Sequence, residues 1–306
     1  MKSELLLTKI RNGDTLSQRE MILTVLLLSG PAIFSQLSTV IMQYLDAAMV
    51  GRLGSSQAAS IALVSSSTWL IGGQINAMII GFNILIAHEI GAKCNVHARS
   101  LMKHELLWMG LFTLLLSVIC VIVSPYLPVV LGGDASIIKD ASSYFRIYGL
   151  SLIFLGMVRS CGGMIQATGE ILIVSLINVL MCCLDVIFNA LFIFPSHTFY
   201  MLPGLNLGVT GAALGTMASH VVGGLILLFY LCAVSQKLKF RAHEHFKLNL
   251  SDVREAVRLS LPVSFNEFVY GSAQMMLTRI ISPLGPLSLA AHSFAVTAES
   301  ICYMPG

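Results

Sequence analysis

Three carboxylic acids stand inside stretches that are otherwise apolar, and they are the residues best placed to do chemistry. Asp46 closes a stripe with Gln36, Thr39 and Gln43, spaced so that all four share one helix face. Asp185 has Asn178 two turns before it and Asn189 one turn after it, and Glu267 stands beside Asn266. An ionisable group in a membrane helix costs about 2.5–3.5 kcal/mol on insertion scales, so each is a candidate functional group. If Asp46 and Asp185 face a common cavity, they could exchange a proton, because burial disfavours the charged form of a carboxyl. They could equally hold a small hard cation such as Na⁺ among carboxylate, amide and hydroxyl oxygens. The competing reading is that each acid hydrogen-bonds its neighbours as glue between helices. Gln36, Gln43 and Asn189 are the polar candidates for the wall of a substrate cavity.

Composition puts the elements that carry these acids in lipid. Of 306 residues, 56% are hydrophobic and 11% charged, against the roughly 25% charge that a soluble surface of this size uses. Mean hydropathy is +0.83. The seven cysteines form no CxxC pair and read as small apolar side chains rather than a disulfide or zinc framework. Apolar runs of membrane length fall at 21–49, 58–87, 104–124, 141–161, 171–195, 209–235 and 255–281, and another starts near 287. No cleavable signal peptide is expected, since the first run is too long for one and lacks a small-residue cleavage site.

Charge orients the spans. Lys2, Lys9, Arg11, Arg19, Lys93, Arg99, Lys103, Arg159 and the basic residues of Lys237–Arg258 fall on one side, and only Arg52, Lys139, Arg146 and Arg279 on the other. The rule that cytoplasmic loops carry the lysines and arginines puts the N-terminus inside. It also explains the net charge of +3 without nucleic acid as a partner. The expected organisation is a cytoplasmic N-terminus at 1–20, a six-helix lobe at 21–236, a cytoplasmic linker at 237–252 and an incomplete second lobe at 253–306.

An internal repeat supports that division. The segment from Pro31 recurs without a gap from Pro262: Phe34 falls on Phe265, Gln36 on Glu267, Gln43 on Gln274, and Leu53-Gly54 on Leu284-Gly285. Asp46 falls on Leu277, so the copies are not chemically equivalent. Repeats of this kind are a common build of secondary transporters, with the site between the halves. Pro31 and Pro262 are expected to kink their helices. Gly211, Gly215, Ser219 and Gly223 form a small-residue stripe that reads as a close-packing face. His88-Glu89 is no zinc-protease motif, because Ala92 stands where the second His would be.

The chain resembles the multidrug and toxic compound extrusion (MATE) family of membrane antiporters. Five stretches carry the likeness, in order: Pro31 through Asp46 to Gly51-Arg-Leu-Gly54; Ile90-Gly91-Ala92 with Ala98-Arg99; Gln166-Ala167-Thr168-Gly169; Asp185 with Leu191-Phe192-Ile193-Phe194; and Gly208-Val209-Thr210-Gly211-Ala212-Ala213 with Thr216. The resemblance implies an all-α polytopic membrane protein. It would have a six-helix N-terminal lobe and the first one to two helices of a repeated second lobe, with twelve helices in the full fold. It also implies efflux of cationic or amphipathic organic compounds across the plasma membrane against H⁺ or Na⁺, by alternating access and without a cofactor. The full-length protein is expected to be monomeric, and its partners to be small organic compounds and the lipid bilayer. The family's ion site maps onto Asp46, Asp185 and Thr216, with Na⁺ as one candidate occupant. Met181 stands where the family has an Asn, and a thioether is a poor ligand for a hard cation, which leans the reading toward H⁺. Asn178 is the candidate substitute and Glu267 a further ion-coupling candidate in the seventh helix.

Within this reading the organic compound enters an apolar cavity lined by Met and Phe, and these 306 residues alone are not expected to transport. A lipid-linked oligosaccharide flippase of the related superfamily is the near rival. Arg146, Arg159 and Arg279, all near the ends of the expected spans, are too few to meet a pyrophosphate. An intramembrane enzyme would need a paired nucleophile and base or a metal cluster, and the sequence offers neither.

Overall fold

The computed structural model describes residues 17–195, 204–240 and 249–303. Residues 1–16, 196–203, 241–248 and 304–306 lie outside the described residues. The side chain of Pro31 lies outside them as well.

Long helices follow one another in the expected order. They are α1 (Gln18–Gly51), α2 (Ser55–Gly91), α3 (Asn95–Val123), α4 (Ala135–Ala167), α5 (Ile171–Ile193), α6 (Gly208–Phe229), α7 (Leu250–Ile281) and α8 (Pro286–Tyr303). Local chemistry explains their starts. Ser17 and Glu20 form a reciprocal capping box at α1. Asp134 caps α4 by accepting from Ser136 N at 2.9 Å, and the hydrogen bonds from Ser136 hold its carboxyl below its ordinary value. Asn249 caps α7 through Ser251 N. Helix α4 runs well beyond the apolar run at 141–161, so Arg146 and Arg159, expected near helix ends, lie inside it. Both α1 and α7 run unbroken through Pro31 and Pro262.

Among the described residues five helices, α2 to α6, are long and apolar enough to cross a membrane. In α3 the most apolar window has a mean hydropathy of 2.7, yet only 22% of it is buried. Leu111, Leu114, Leu115, Val118 and Ile122 all stand exposed there. An apolar stripe of that size facing water would be a severe liability, and facing lipid it is not.

The repeat is visible in the backbone. Gly54 before α2 has φ 124° and Gly285 before α8 has φ 98°, a region open to glycine and little else. Each donates its N–H back to the end of the preceding helix, Gly54 to Gly51 O and Gly285 to Ser282 O, and each accepts from the residue four on. The same glycine turn therefore opens the second helix of both copies.

Helix α7 lies antiparallel along α2 for most of its length. Ser260 donates to Met78 O at 3.1 Å, Gln74 pairs with Ser264, and Thr278 donates to Ser66 Oγ at 3.0 Å. At the end where α2 meets α3, the first turn of α7 is clasped by two histidines. His97 lies between Glu89 and Asp252, at 3.4 Å and 3.3 Å. The buried His104 accepts from Asn249 N at 2.9 Å through Nε2, and its Nδ1 faces Ser100 O at 2.8 Å.

Candidate ion-coupling site and cavity

Asp46 comes from the last turns of α1, and Asp185 from the middle of α5. The packing of α1 against α5 brings the two carboxyls within hydrogen-bond reach of each other. Asn189, one turn beyond Asp185, binds them both. Its Nδ2 donates to Asp46 Oδ1 at 2.7 Å and to Asp185 Oδ2 at 2.9 Å. From α6, Ser219 Oγ lies 3.3 Å from Asp185 Oδ1 and the Thr216 hydroxyl is also in reach. Asp185 is 0% exposed and Asn189 1%.

The small-residue stripe of α6 makes this arrangement possible. A Cβ on Gly211 would collide with the backbone of Phe192, one on Gly215 with Asn189 Oδ1, and one on Gly223 with Met181 Sδ. The stripe lets α5 approach closely enough to seat Asn189 beside Gly215. Met181 packs against Gly223, and Asn178, a further turn back, lines no part of the cavity described next.

Asp46 opens onto a cavity of about 690 Å³. Its wall combines Gln43, Asp46 and Val50 of α1, Ser65, Thr68 and Trp69 of α2, and Tyr144 of α4. It also includes Ala212 and Thr216 of α6, Glu267, Tyr270 and Gln274 of α7, and His292, Phe294, Thr297 and Glu299 of α8. All these residues sit in the half of the molecule where α1 meets α2. A volume of this size suits a drug-sized molecule, and the aromatic faces suit a cation. No lysine or arginine is among the described lining residues.

Several sequence expectations change here. Gln43 lines the cavity, but Gln36, on the same face of α1, does not reach it. Asn189 is no wall residue either: it stands behind the wall and bridges the two acids. Among the described lining residues the expected Met and Phe lining is met only by Phe294, and the aromatic surface comes instead from Trp69, Tyr144 and Tyr270. Glu267 is on the wall but not at the acid pair, because its carboxyl packs against Gly73 of α2. Glu299 and His292, neither singled out in the sequence, also line the cavity. A further buried acid was passed over, Glu105 of α3, whose Oε1 accepts from Ser160 at 2.5 Å. The apolar run starts at 104, with Glu105 at its edge, whereas α3 begins at Asn95.

Membrane-length helices around a cavity with ionisable walls define a multi-pass membrane protein of the transporter kind. Comparison with known proteins gives the family: the MatE profile matches residues 31–191, more than half of the chain, and the chain belongs to the MatE family. It is 23% identical over 279 residues to a probable multidrug resistance protein NorM of Acinetobacter baylyi, covering 90% of this chain and 61% of the relative. It is 24% identical over 299 residues to another of Halalkalibacterium halodurans, covering 95% of this chain and 62% of the relative. The chain thus spans about three-fifths of the length of the curated relatives it matches. Among solved structures it superposes on an outward-facing multidrug resistance MATE family transporter with a TM-score of 0.77 at 19% identity, covering 91% of this chain and 60% of that one. The inward-facing form matches with a TM-score of 0.75 at 20% identity, over 88% of this chain and 59% of that one. The fold is that of the MATE transporters.

Proposed function

We propose that the protein is a secondary antiporter that exports cationic or amphipathic organic compounds in exchange for an inward-moving monovalent cation, H⁺ or Na⁺. The observation that carries this is the paired acid site on the cavity wall. Asp46 faces the cavity while Asp185 lies behind it, joined to it through Asn189. An ion drives transport only through differing affinity for two states. An acid pair on the boundary between a cavity and a packed seam can have such a difference, since the cavity must rehydrate or close as the lobes rock. The wall also carries Glu267 and Glu299 beside Trp69, Tyr270 and Phe294, which supports an organic cation as cargo. Loop charge supports a plasma-membrane protein with its N-terminus in the cytoplasm and the cavity half facing out.

Ethidium accumulation in cells producing this chain joined to a complete second lobe, with and without an ionophore, tests the proposal. Expression should lower accumulation, the ionophore should restore it, and Asp185→Asn should abolish export while the protein still reaches the membrane. Undiminished export by the Asp185→Asn protein would remove Asp185 from the mechanism.

A further inference from the structure

We infer that Asn189 makes the acid pair selective for protons over Na⁺. This inference rests on the proposal that the pair carries the coupling ion. The Asn189 amide turns its nitrogen to both carboxyls, 2.7 Å from Asp46 Oδ1 and 2.9 Å from Asp185 Oδ2. An amide nitrogen is a donor and cannot ligate a metal ion. Turning the amide over would set its oxygen against two carboxyl oxygens, and the seam gives it little room to move: Asn189 is 1% exposed and its Oδ1 abuts Gly215.

Beyond the carboxyls, the nearby side-chain oxygens described are few: the hydroxyl of Thr216, which donates to Ala212 O at 3.2 Å, and that of Ser219, which donates to Thr216 O at 2.8 Å. Hard cations are held by a shell of oxygens, whereas a proton needs two. Access separates them further. Asp185 is fully buried and off the cavity wall, so Na⁺ would have to displace heavy atoms to reach it. A proton would not. It arrives on Asp46 from the cavity, and the O–H bond on Asp46 breaks as one forms on Asp185, leaving Asp46 ionised and Asp185 neutral. Asn189 Nδ2 donates to both carboxyls throughout, so it holds the two oxygens in register whichever acid carries the proton.

The test uses the purified full chain in detergent. Infrared difference spectra between acid and alkaline solution report protonated carboxyls, and thermal unfolding in NaCl against choline chloride at equal ionic strength reports Na⁺ binding. Wild type should show a titrating carboxyl band, lost in Asp46→Asn or Asp185→Asn and unchanged by Na⁺, with the same Tm in both salts. Asn189→Ser, which removes the amide and offers a hydroxyl oxygen, should gain a Na⁺-dependent rise in Tm of roughly 2–4 °C with Na⁺ several-fold above its Kd. A Na⁺-dependent Tm rise in wild type that Asp185→Asn removes would overturn the role of Asn189 while leaving the acid pair as an ion site. The wild-type measurement decides this even if Asn189→Ser does not fold. Absence of any carboxyl band that depends on Asp46 or Asp185 would instead overturn the reading of the pair, and the inference with it.

Discussion

One amide nitrogen serving two carboxyls is only as secure as the groove that seats it, and at Asn189 that groove is Gly215. A Cβ there has nowhere to go, since both Asn189 Oδ1 and the Asn189 backbone lie against it. Gly215→Ala is therefore expected to cost about 1–3 kcal/mol of stability through overpacking and to weaken ethidium export by displacing Asn189. Gly110→Ala is the control, because nothing lies within 4 Å of a Cβ at that position. There, replacing a helical glycine should be neutral or stabilise by up to about 1 kcal/mol. Denaturant unfolding of the two variants checks this, and equal effects would mean that the α5–α6 seam is looser than described.

Two devices at the scale of helices set how the first lobe meets α7 and α8. The repeated glycine turn is one. Gly285 has open space around it, so Gly285→Ala measures backbone strain alone, expected at about 1–3 kcal/mol. Gly54→Ala should lose a similar amount, and a large difference between them would mean that the two turns are not equivalent. The histidine clasp on α7 is the other. His104→Phe leaves the Asn249 amide without its acceptor, which should cost about 1–3 kcal/mol in thermal unfolding. His97 is 47% exposed, so a double-mutant cycle between His97 and Asp252 should give only about 0.2–1 kcal/mol, falling as salt rises.

Seen whole, the molecule was legible from sequence where lipid made its chemistry conspicuous. Spans, repeat and the acids Asp46 and Asp185 stand out because an apolar background leaves few ionisable residues to weigh. What spacing could not carry was convergence between helices. Asp185 and Asn189 share a face of α5 by their spacing alone, but nothing local says that the end of α1 delivers Asp46 to the same point. The cavity wall was hidden for the same reason: Tyr144, Trp69 and Glu299 come from three helices and no shared motif. Glu105 was missed at a boundary, since an apolar run marks where lipid contact begins and not where the helix does. The proposed exchange sets a proton held by Asp46 and Asp185 against an organic cation in the cavity beside them. Proton release when ethidium is added to the purified protein in weakly buffered solution measures it directly. The prediction is up to one proton released per protein, lost in both Asp46→Asn and Asp185→Asn. Release of the same size from both variants would contradict it.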